Sequence, residues 1–331
     1  AILPTYDALG KYSDKVHHVL TRHEQGATHM ADGYARSSGK VGVAMATSGP
    51  GAANMVTGLA TAMMDSIPIV CITGQVPRPA IGSDAFQEMD ISGAVIPVTK
   101  HSYLVMEIEN LARTIKEAFA IARSGRPGPV LVDIPKDLQA EEFDFIYPEE
   151  PILLPGENPV ISDIDLNSLE QAASLISESK RPVILAGHGI LLSGASKEVI
   201  ELSEKGNIPS SWTLLGSGAV PASHHLNMGM MGMHGEFAAN NAIQKADLLI
   251  ACGMRFDDRV TGNTKTYSLE SKKIHIEIDP SEINKNVPVD VALVGDLKLI
   301  LSKLIPLLKK RQNSSWTDKI EDWRKESQSR D

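Results

Sequence analysis

A chain of 331 residues, 42% of them hydrophobic, is long enough for two domains with sizeable cores. Its formal net charge of −9, with no basic block, argues against nucleic acid as a partner. No apolar run reaches membrane-spanning length and no signal peptide is visible; Cys71 and Cys252 lie in apolar strand-like runs, the pattern of buried reduced thiols rather than of a disulfide framework.

Residues 5–14 read as the end of a first helix, and Val16 to His23 as a short strand leading to a carboxylate, Glu24. The helix that follows is rich in small residues (Gly26, Ala27, Ala31, Gly33, Ala35), which let a backbone or a ligand approach while weakening the helix. An apolar strand, Val41 to Ala46, runs into a Ser48-Gly49-Pro50-Gly51 turn and a helix from about Ala52 to Met64. A second apolar strand, Ile67 to Thr73, ends in Gly74-Gln75. Strand, Gly-rich turn, helix and strand make a βαβ unit of a parallel sheet, whose ligands collect at the carboxyl ends of the strands. Glu24, Ser48–Gly51 and Gly74-Gln75 all lie at such ends. Each piece also has a plainer reading: Glu24 as partner of a helix N-terminal dipole, the turn as punctuation. The turn is not a Walker A loop, since no Gly-Lys-Ser/Thr follows.

Residues 75–93 form a long polar loop with two prolines, a length that is commonly functional. Ile96 to Val105 holds a strand. Asn110 to Ser124 is a helix with Leu111, Ile115, Ala118, Phe119 and Ala122 on one face, and Pro129 to Ile134 is a buried strand. An α/β domain thus closes near residue 138, and the acidic, proline-bearing stretch 139–166 is a linker. The second domain, 167–311, opens with a helix from about Leu169 to Glu178. Strand Pro182 to Ala186 runs into Gly187-His188-Gly189, a helix spans Ala195 to Lys205, and Ile208 to Trp212 leads into Thr213-Leu214. A Met-Gly-rich loop (227–235), a helix from Glu236 to Gln244, strands Asp247 to Ala251, Ile274 to Ile278 and Val291 to Val294, and a helix from Leu297 to Lys310 follow. From Gln312 to residue 331 the tail is polar. The fold class is therefore α/β, with two doubly wound, mostly parallel sheets.

The order Glu24, Ser48-Gly49-Pro50-Gly51, Gly74-Gln75 is joined by four further runs: Ala85-Phe86-Gln87-Glu88, Lys100 to Val105, Ser124 to Pro129, and Gly253-Met254-Arg255-Phe256-Asp257-Asp258-Arg259. Together they resemble the thiamine-diphosphate-dependent enzymes and, within that group, the catalytic subunits of acetohydroxyacid (acetolactate) synthases. The likeness covers nearly all of the chain.

The resemblance implies a pyrimidine-binding domain over residues 1–138 and an FAD-binding domain over 167–311. Glu24 matches the glutamate that bonds a ring nitrogen of the cofactor's aminopyrimidine, a role suited to a buried carboxylate with a raised pKa. Ser48, Gly49, Gly51 and Gln87 would complete the thiamine diphosphate contacts, with Gln87 near the reacting carbon. Phe86 matches a substrate-pocket wall, Lys136 a residue at the channel, and Arg259 the cation that receives the second keto acid's carboxylate, a task that suits a planar bidentate guanidinium. Their plainer readings are an exposed amide for Gln87, a core anchor for Phe86, a solvated lysine, and an Arg259 pair with Asp257 or Asp258. The FAD contacts carried over are Ser66, Arg126, Gly187, His188, Gly189, Thr213, Leu214, Met231, Gly232, Met233, His234, Gly253, Met254, Arg255, Phe256, Asp257, Glu277, Ile278, Asp296 and Leu297. Gly187-His188-Gly189 after a strand can place backbone N–H groups against a phosphate, although His188 departs from the Gly- or Ala-centred triplet of relatives. The Met-Gly loop reads otherwise as adaptable core filler.

The family's magnesium and diphosphate site uses a Gly-Asp-Gly run followed later by Asn-Asn. Here Gly295-Asp296 is followed by Leu297, and Asn240-Asn241 precedes it, so that site is expected in a domain outside this chain, and a leading segment before Ala1 is expected as well. The chain by itself is then expected to be inactive and to self-associate through an apolar patch with Met55, Leu59 and Met63. The implied reaction is decarboxylation of pyruvate and condensation with a second keto acid, pyruvate or 2-ketobutyrate. The implied assembly is a homodimer or homotetramer with a small regulatory subunit, cytoplasmic in a prokaryote and organellar in a eukaryote. Pyruvate oxidase or another thiamine-dependent lyase, and a non-catalytic nucleotide-binding fragment, are the competing readings; the Phe86-Gln87 and Arg255–Arg259 runs favour the synthase.

Overall fold

Apolar runs without polar alternation belong to strands covered on both faces. The computed structural model, which describes residues 1–154, 165–312 and 314–328, contains two sheets of this kind, one in each of two units, residues 1–157 and 158–331. Residues 155–164 of the expected linker, and 313 and 329–331 of the expected tail, lie outside the described residues.

The first unit runs α1 (Leu3–Lys11), α2 (Glu24–Ser38), β1 (Gly42–Ala46), α3 (Pro50–Ala53), α4 (Val56–Asp65), β2 (Ile69–Gln75), α5 (Ile91–Ala94), β3 (His101–Leu104), α6 (Ile108–Arg123), β4 (Val130–Pro135) and α7 (Lys136–Gln139). The sheet order is β1-β2-β4-β3, and every pairing is parallel. Alternate side chains leave opposite faces. Ile69, Cys71 and Leu131 pack with Ala31 and Ala35 of α2 and with Met55, Leu59 and Ala62; Val70, Val130 and Val132 pack with Ala118 and Ala122 of α6. The predicted stripe on α6 is the face that packs.

Four expectations for this unit are corrected. Val16 to His23 forms no strand: a strand needs a hydrogen-bonded neighbour, and this run has none, leaving Val19 and Leu20 exposed. A cavity of about 730 Å³ separates it from the free edge of β1, lined by Tyr6, Val19, Tyr34, Val43 and Met45 among others. Ile96–Val98 is a 3-10 turn, so the strand expected from Ile96 shrinks to β3. The helix expected from Ala52 breaks at Asn54-Met55 into α3 and α4. Met55 and Leu59 are both fully buried, on the same stripe as Ala52 and Ala62, so they contribute no surface patch; Met64 is the exposed methionine of α4. Among the small residues of α2, Ala31 and Ala35 are buried, whereas Gly26 and Gly33 face open space. The close helix approach is made by Gly58 of α4, where a Cβ would fall 2.5 Å from Cβ of Thr28.

The second unit runs α8 (Leu166–Glu178), β5 (Pro182–Ala186), α9 (Gly189–Leu192), α10 (Ser196–Gly206), β6 (Ser210–Trp212), β7 (Asn227–Met230), α11 (Phe237–Lys245), β8 (Leu248–Cys252), α12 (Asp258–Thr261), β9 (Lys272–Glu277), β10 (Val291–Val294), α13 (Leu297–Leu304) and α14 (Ser314–Gln328). Its six strands are parallel in the order β10-β9-β8-β5-β6-β7. Helices α8, α10 and α13 cover one face, α11 and α14 the other. The Met-Gly segment begins as an edge strand, β7, because Asn227 ties it down: its Nδ2 donates to the Val220 and Pro221 carbonyls and its Oδ1 accepts from Gly229 N–H. Asn and Gly are poor strand residues, so preference hides this strand. The last expected helix stops at Leu304 and tightens into a 3-10 turn over Ile305–Leu307, where Pro306 has no N–H to continue the α-helical bonding. The polar stretch after Gln312 holds α14, which buries Trp316 and Ile320 and donates Trp316 Nε1–H to the Pro182 carbonyl at 3.1 Å.

Cys71 and Cys252 are free thiols buried in β2 and β8, and burial pushes both up to about 12. Among the described residues, no helix is long and apolar enough to cross a membrane.

Candidate functional site

The carboxyl ends of β1 and β2 bring three predicted pieces together. Glu24 is the first residue of α2, placed there because His23 caps the helix, its Nδ1 accepting from Gln25 N–H at 3.1 Å. Oε2 of Glu24 accepts from Asn54 Nδ2 at 3.1 Å, and a Cβ on Gly51 would fall 3.4 Å from Oε1. The expected buried carboxylate is in fact half-buried, because it stands at the rim of the sheet with Asn54 as its bonded partner. Asn54 was not singled out from the sequence; it lies at the break between α3 and α4, which only the fold reveals.

The Ser48–Gly51 turn meets the long loop directly. Ser48 is buried, and Gly49 has φ 60°, with a Cβ there falling 2.6 Å from the Gln87 carbonyl oxygen. Gly49 is thus needed both for its backbone angle and for the approach of the loop. Gln87 itself sits at φ 59°, an uncommon conformation for a non-glycine residue. The loop is braced from within by Glu88, whose carboxylate accepts from the N–H groups of Gly82 and Ala85; those bonds hold its pKa below the usual carboxylate value. Its outgoing leg is tied to α7: Arg78 donates from its backbone and Nε to Asp137 at 2.9 and 2.7 Å, and from NH2 to Glu141 at 2.7 Å. Phe86 is 88% exposed, which overturns its reading as a core anchor. Lys136 is exposed at the carboxyl end of β4.

Under this site lies a buried polar cluster that periodicity conceals, since its members sit in apolar strands. Asp133, only 1% exposed, accepts from Thr73 Oγ1 at 2.7 Å and from Gln75 Nε2 at 2.8 Å. Burial pushes its carboxyl up to about 6 against the pull of those two hydrogen bonds, and Asp90 adds to the rise. The folded state therefore holds the proton to higher pH than the unfolded chain does. Stability from this group is full below the unfolded value of 3.8 and is lost as pH rises through about 6. Chemical unfolding followed between pH 4 and pH 7 should show a loss on the order of 2–3 kcal/mol that is absent in Asp133→Asn.

In the second unit the predicted residues follow the ends of all six strands: Gly187–Gly189 after β5, Thr213-Leu214 after β6, Met231–His234 after β7, Gly253–Asp257 after β8, Glu277-Ile278 at β9, and Asp296-Leu297 after β10. The chain order reverses between β5 and β8, the switch point where ligands of open α/β sheets bind. There the two loops touch backbone to backbone. A Cβ on Gly187 would fall 2.2 Å from the Gly253 carbonyl oxygen, and one on Gly253, at φ 57°, 2.6 Å from Gly189 Cα. The N–H groups of Gly187 and Gly189 donate to the Cys252 and Gly253 carbonyls at 2.9 Å each. This corrects the expectation that they face a phosphate: the glycines are there so that the two loops can close on each other.

Gly232 is held by Asn240, whose side chain accepts from its N–H at 2.9 Å and donates to its carbonyl at 3.0 Å. Met231 is buried and Met233 exposed, so the Met-Gly segment is core filler only in part. Asp257 caps α12 by accepting from the backbone N–H groups of Arg259 and Val260, while the Arg259 guanidinium lies 3.6 Å from Met233 Sδ. The Asp257 carboxylate is thus engaged by the Arg259 backbone and not by its guanidinium. Glu277 is buried at the end of β9 and accepts from Ile278 N–H at 2.9 Å; Asp296 caps α13 through Leu299 N–H at 2.9 Å. Ser66 and Arg126 belong to the first unit, where Arg126 Nε donates to Ser66 Oγ at 2.8 Å. Among the described residues there is no cluster of three His, Cys, Asp or Glu residues that would hold a metal ion.

Comparison with known proteins matches both units to one family. Residues 1–94 match the N-terminal TPP binding domain of thiamine pyrophosphate enzymes, and residues 169–304 match their central domain. A probable acetolactate synthase large subunit of Methanocaldococcus jannaschii is 49% identical over 330 residues, covering 98% of this chain and 55% of that protein. The acetolactate synthase large subunit of Corynebacterium glutamicum is 50% identical over 323 residues, covering 98% and 51%. An acetolactate synthase of Mycobacterium leprae is 52% identical over 309 residues, covering 93% and 49%. The chain spans about half the length of these curated relatives. With two domains of one family matched in order on two parallel sheets, the chain belongs to the thiamine pyrophosphate enzymes, as a homologue of acetolactate synthase large subunits.

Proposed function

We propose that this chain is the pyrimidine-binding and flavin-binding part of an acetolactate synthase, which decarboxylates pyruvate and joins the remaining two-carbon unit to pyruvate or 2-ketobutyrate. The products, 2-acetolactate and 2-aceto-2-hydroxybutyrate, belong to branched-chain amino-acid biosynthesis. The observation that carries this reading is the convergence of Glu24, the Ser48–Gly51 turn and Gln87, held by Asn54 and by the contact of Gly49 with the Gln87 backbone. Thiamine diphosphate, when bound, supplies the electron sink that a departing carbon dioxide requires. Glu24, aimed by Asn54, holds a proton at the aminopyrimidine nitrogen, and Ser48, Gly49, Gly51 and Gln87 shape the surface against that ring.

Residues at the six strand ends of the second unit fit an extended dinucleotide such as FAD: glycines where loops close, the buried Glu277 carboxylate as an acceptor for a ribose hydroxyl, and the Met231–His234 segment along the rim. Arg259 offers its guanidinium to the second keto acid's carboxylate, with Phe86 and Lys136 as pocket and channel residues. Magnesium, the homodimer or homotetramer, a small regulatory subunit, and a cytoplasmic or organellar location belong to the same proposal. The reading is tested by expressing the protein at the length of its relatives and assaying acetolactate formation from pyruvate with thiamine diphosphate, FAD and magnesium; pyruvate oxidation in its place would favour an oxidase.

Arg259→Gln should spare pyruvate decarboxylation and spoil the choice of acceptor, a loss of roughly 1.5–3 kcal/mol for one charge-assisted contact. Competition between pyruvate and 2-ketobutyrate, with both products measured, is the check; an unchanged product ratio would remove Arg259 from acceptor binding.

A further inference from the structure

The loop that carries Gln87 is fastened to the sheet at its return end by a buried amide. Gln75, the last residue of β2, is 4% exposed and engages both N–H donors and the carbonyl oxygen of its side chain. One Nε2 hydrogen goes to Asp133 Oδ2 at 2.8 Å, the other to the Met89 carbonyl at 2.8 Å, and Oε1 accepts from Val76 N–H at 2.8 Å. A carboxylate only accepts, so Asp133 dictates which end of the amide faces it. Its other oxygen accepts from Thr73 Oγ1 at 2.7 Å. With the amide turned this way, a donor must point at Met89. Two residues before Met89, the Gln87 backbone rests on Gly49, with Glu88 bracing the loop between them.

We propose that Gln75, oriented by Asp133, is a positioning residue that sets the height of the 82–90 loop over the Ser48–Gly51 turn, and thereby the placement of Gln87 in the cofactor site. The consequence for catalysis rests on the proposed synthase reading; the positioning itself does not, and the test below reads it without turnover. The two strands β2 and β4 define where Gln75 and Asp133 stand, so the return end of the loop takes its position from a buried part of the sheet, while Glu88 and Arg78 brace the rest. A buried amide that merely filled a polar hole would need Asp133 but would not need Met89.

The two roles are separated by three variants, followed by hydrogen–deuterium exchange over 82–90 and by thermal unfolding. Gln75→Glu leaves at most the one proton that two adjacent buried carboxylates share between them, so Met89 loses its donor; exchange in the loop should speed about tenfold, the scale of one lost hydrogen bond, while the melting temperature falls. The swap Gln75→Glu/Asp133→Asn restores a donor–acceptor pair between the strands but leaves nothing to donate to Met89. It should recover the melting temperature and keep the loop fast. Thr73→Val, which weakens the same cluster without touching Gln75, should lower the melting temperature and leave loop exchange unchanged. The proposal is overturned if the swap slows the loop back to its original rate, or if Thr73→Val opens the loop as far as Gln75→Glu does, since the loop would then merely follow the stability of the sheet.

Discussion

Glu24→Gln, in the protein expressed at the length of its relatives, should lower acetolactate formation by ~10²-fold or more while leaving the fold intact, the usual scale for removal of a positioned proton-transfer group. Glutamine keeps the shape of the side chain and can still accept from Asn54 Nδ2 through its carbonyl oxygen, so the neighbours need not move. What it lacks is the second oxygen able to hold a proton against a ring nitrogen. The plainer role of Glu24, as an acidic residue in the first turn of α2, predicts something different: a stability loss of about 0.3–1 kcal/mol and nearly normal turnover. Measuring kcat together with the urea midpoint separates the two, and near-normal turnover would take Glu24 out of the mechanism. Asn54→Ala should show a smaller loss of turnover in the same direction, because it frees the carboxylate to rotate without removing it.

Gly253→Ala should destabilise the second unit by about 2–4 kcal/mol, from ~1 kcal/mol or more for a left-handed non-glycine residue and a further 1–3 kcal/mol for overpacking. Its φ is 57°, and the new methyl carbon would meet Gly189 at 2.6 Å from Cα and 2.9 Å from the carbonyl carbon, backbone atoms that cannot swing aside. The two loops would have to part, and with them the end of β5 from the end of β8. Gly194→Ala isolates the angular part, since Gly194 has φ 64° and open space where its Cβ would go; it should cost only about 1 kcal/mol. All three tryptophans, Trp212, Trp316 and Trp323, lie in the second unit, so urea unfolding followed by tryptophan fluorescence reads this unit directly. Equal midpoints for the two variants would show that the apposition at the switch point is soft. If that apposition also frames the flavin site, affinity for FAD should fall in Gly253→Ala and hold in Gly194→Ala.

The sequence by itself determined the strand–turn–helix–strand order, the two parallel sheets, and the family. Runs such as Pro182 to Ala186 and Leu248 to Cys252 are apolar on both sides, which only a sheet covered on two faces can use. The motif residues Glu24, Ser48–Gly51 and Gln87 were legible because a turn chemistry or a family pattern marks each of them. Tertiary structure decided whatever depends on a neighbour distant in the chain. Val16 to His23 has the composition of a strand and no partner to make it one, while Asn227–Met230 has the wrong composition and pairs with β6 all the same. Met55 and Leu59 are expected in a surface patch, yet the stripe they share with Ala52 and Ala62 packs into the core. Asn54, Asp133 and Asn240 carry no local signal, because the groups they satisfy are 30 residues away at Glu24, 58 at Gln75 and 8 at Gly232. Local preference is written in consecutive residues, whereas the bonding of a buried polar group is settled only when the fold brings its partner to it.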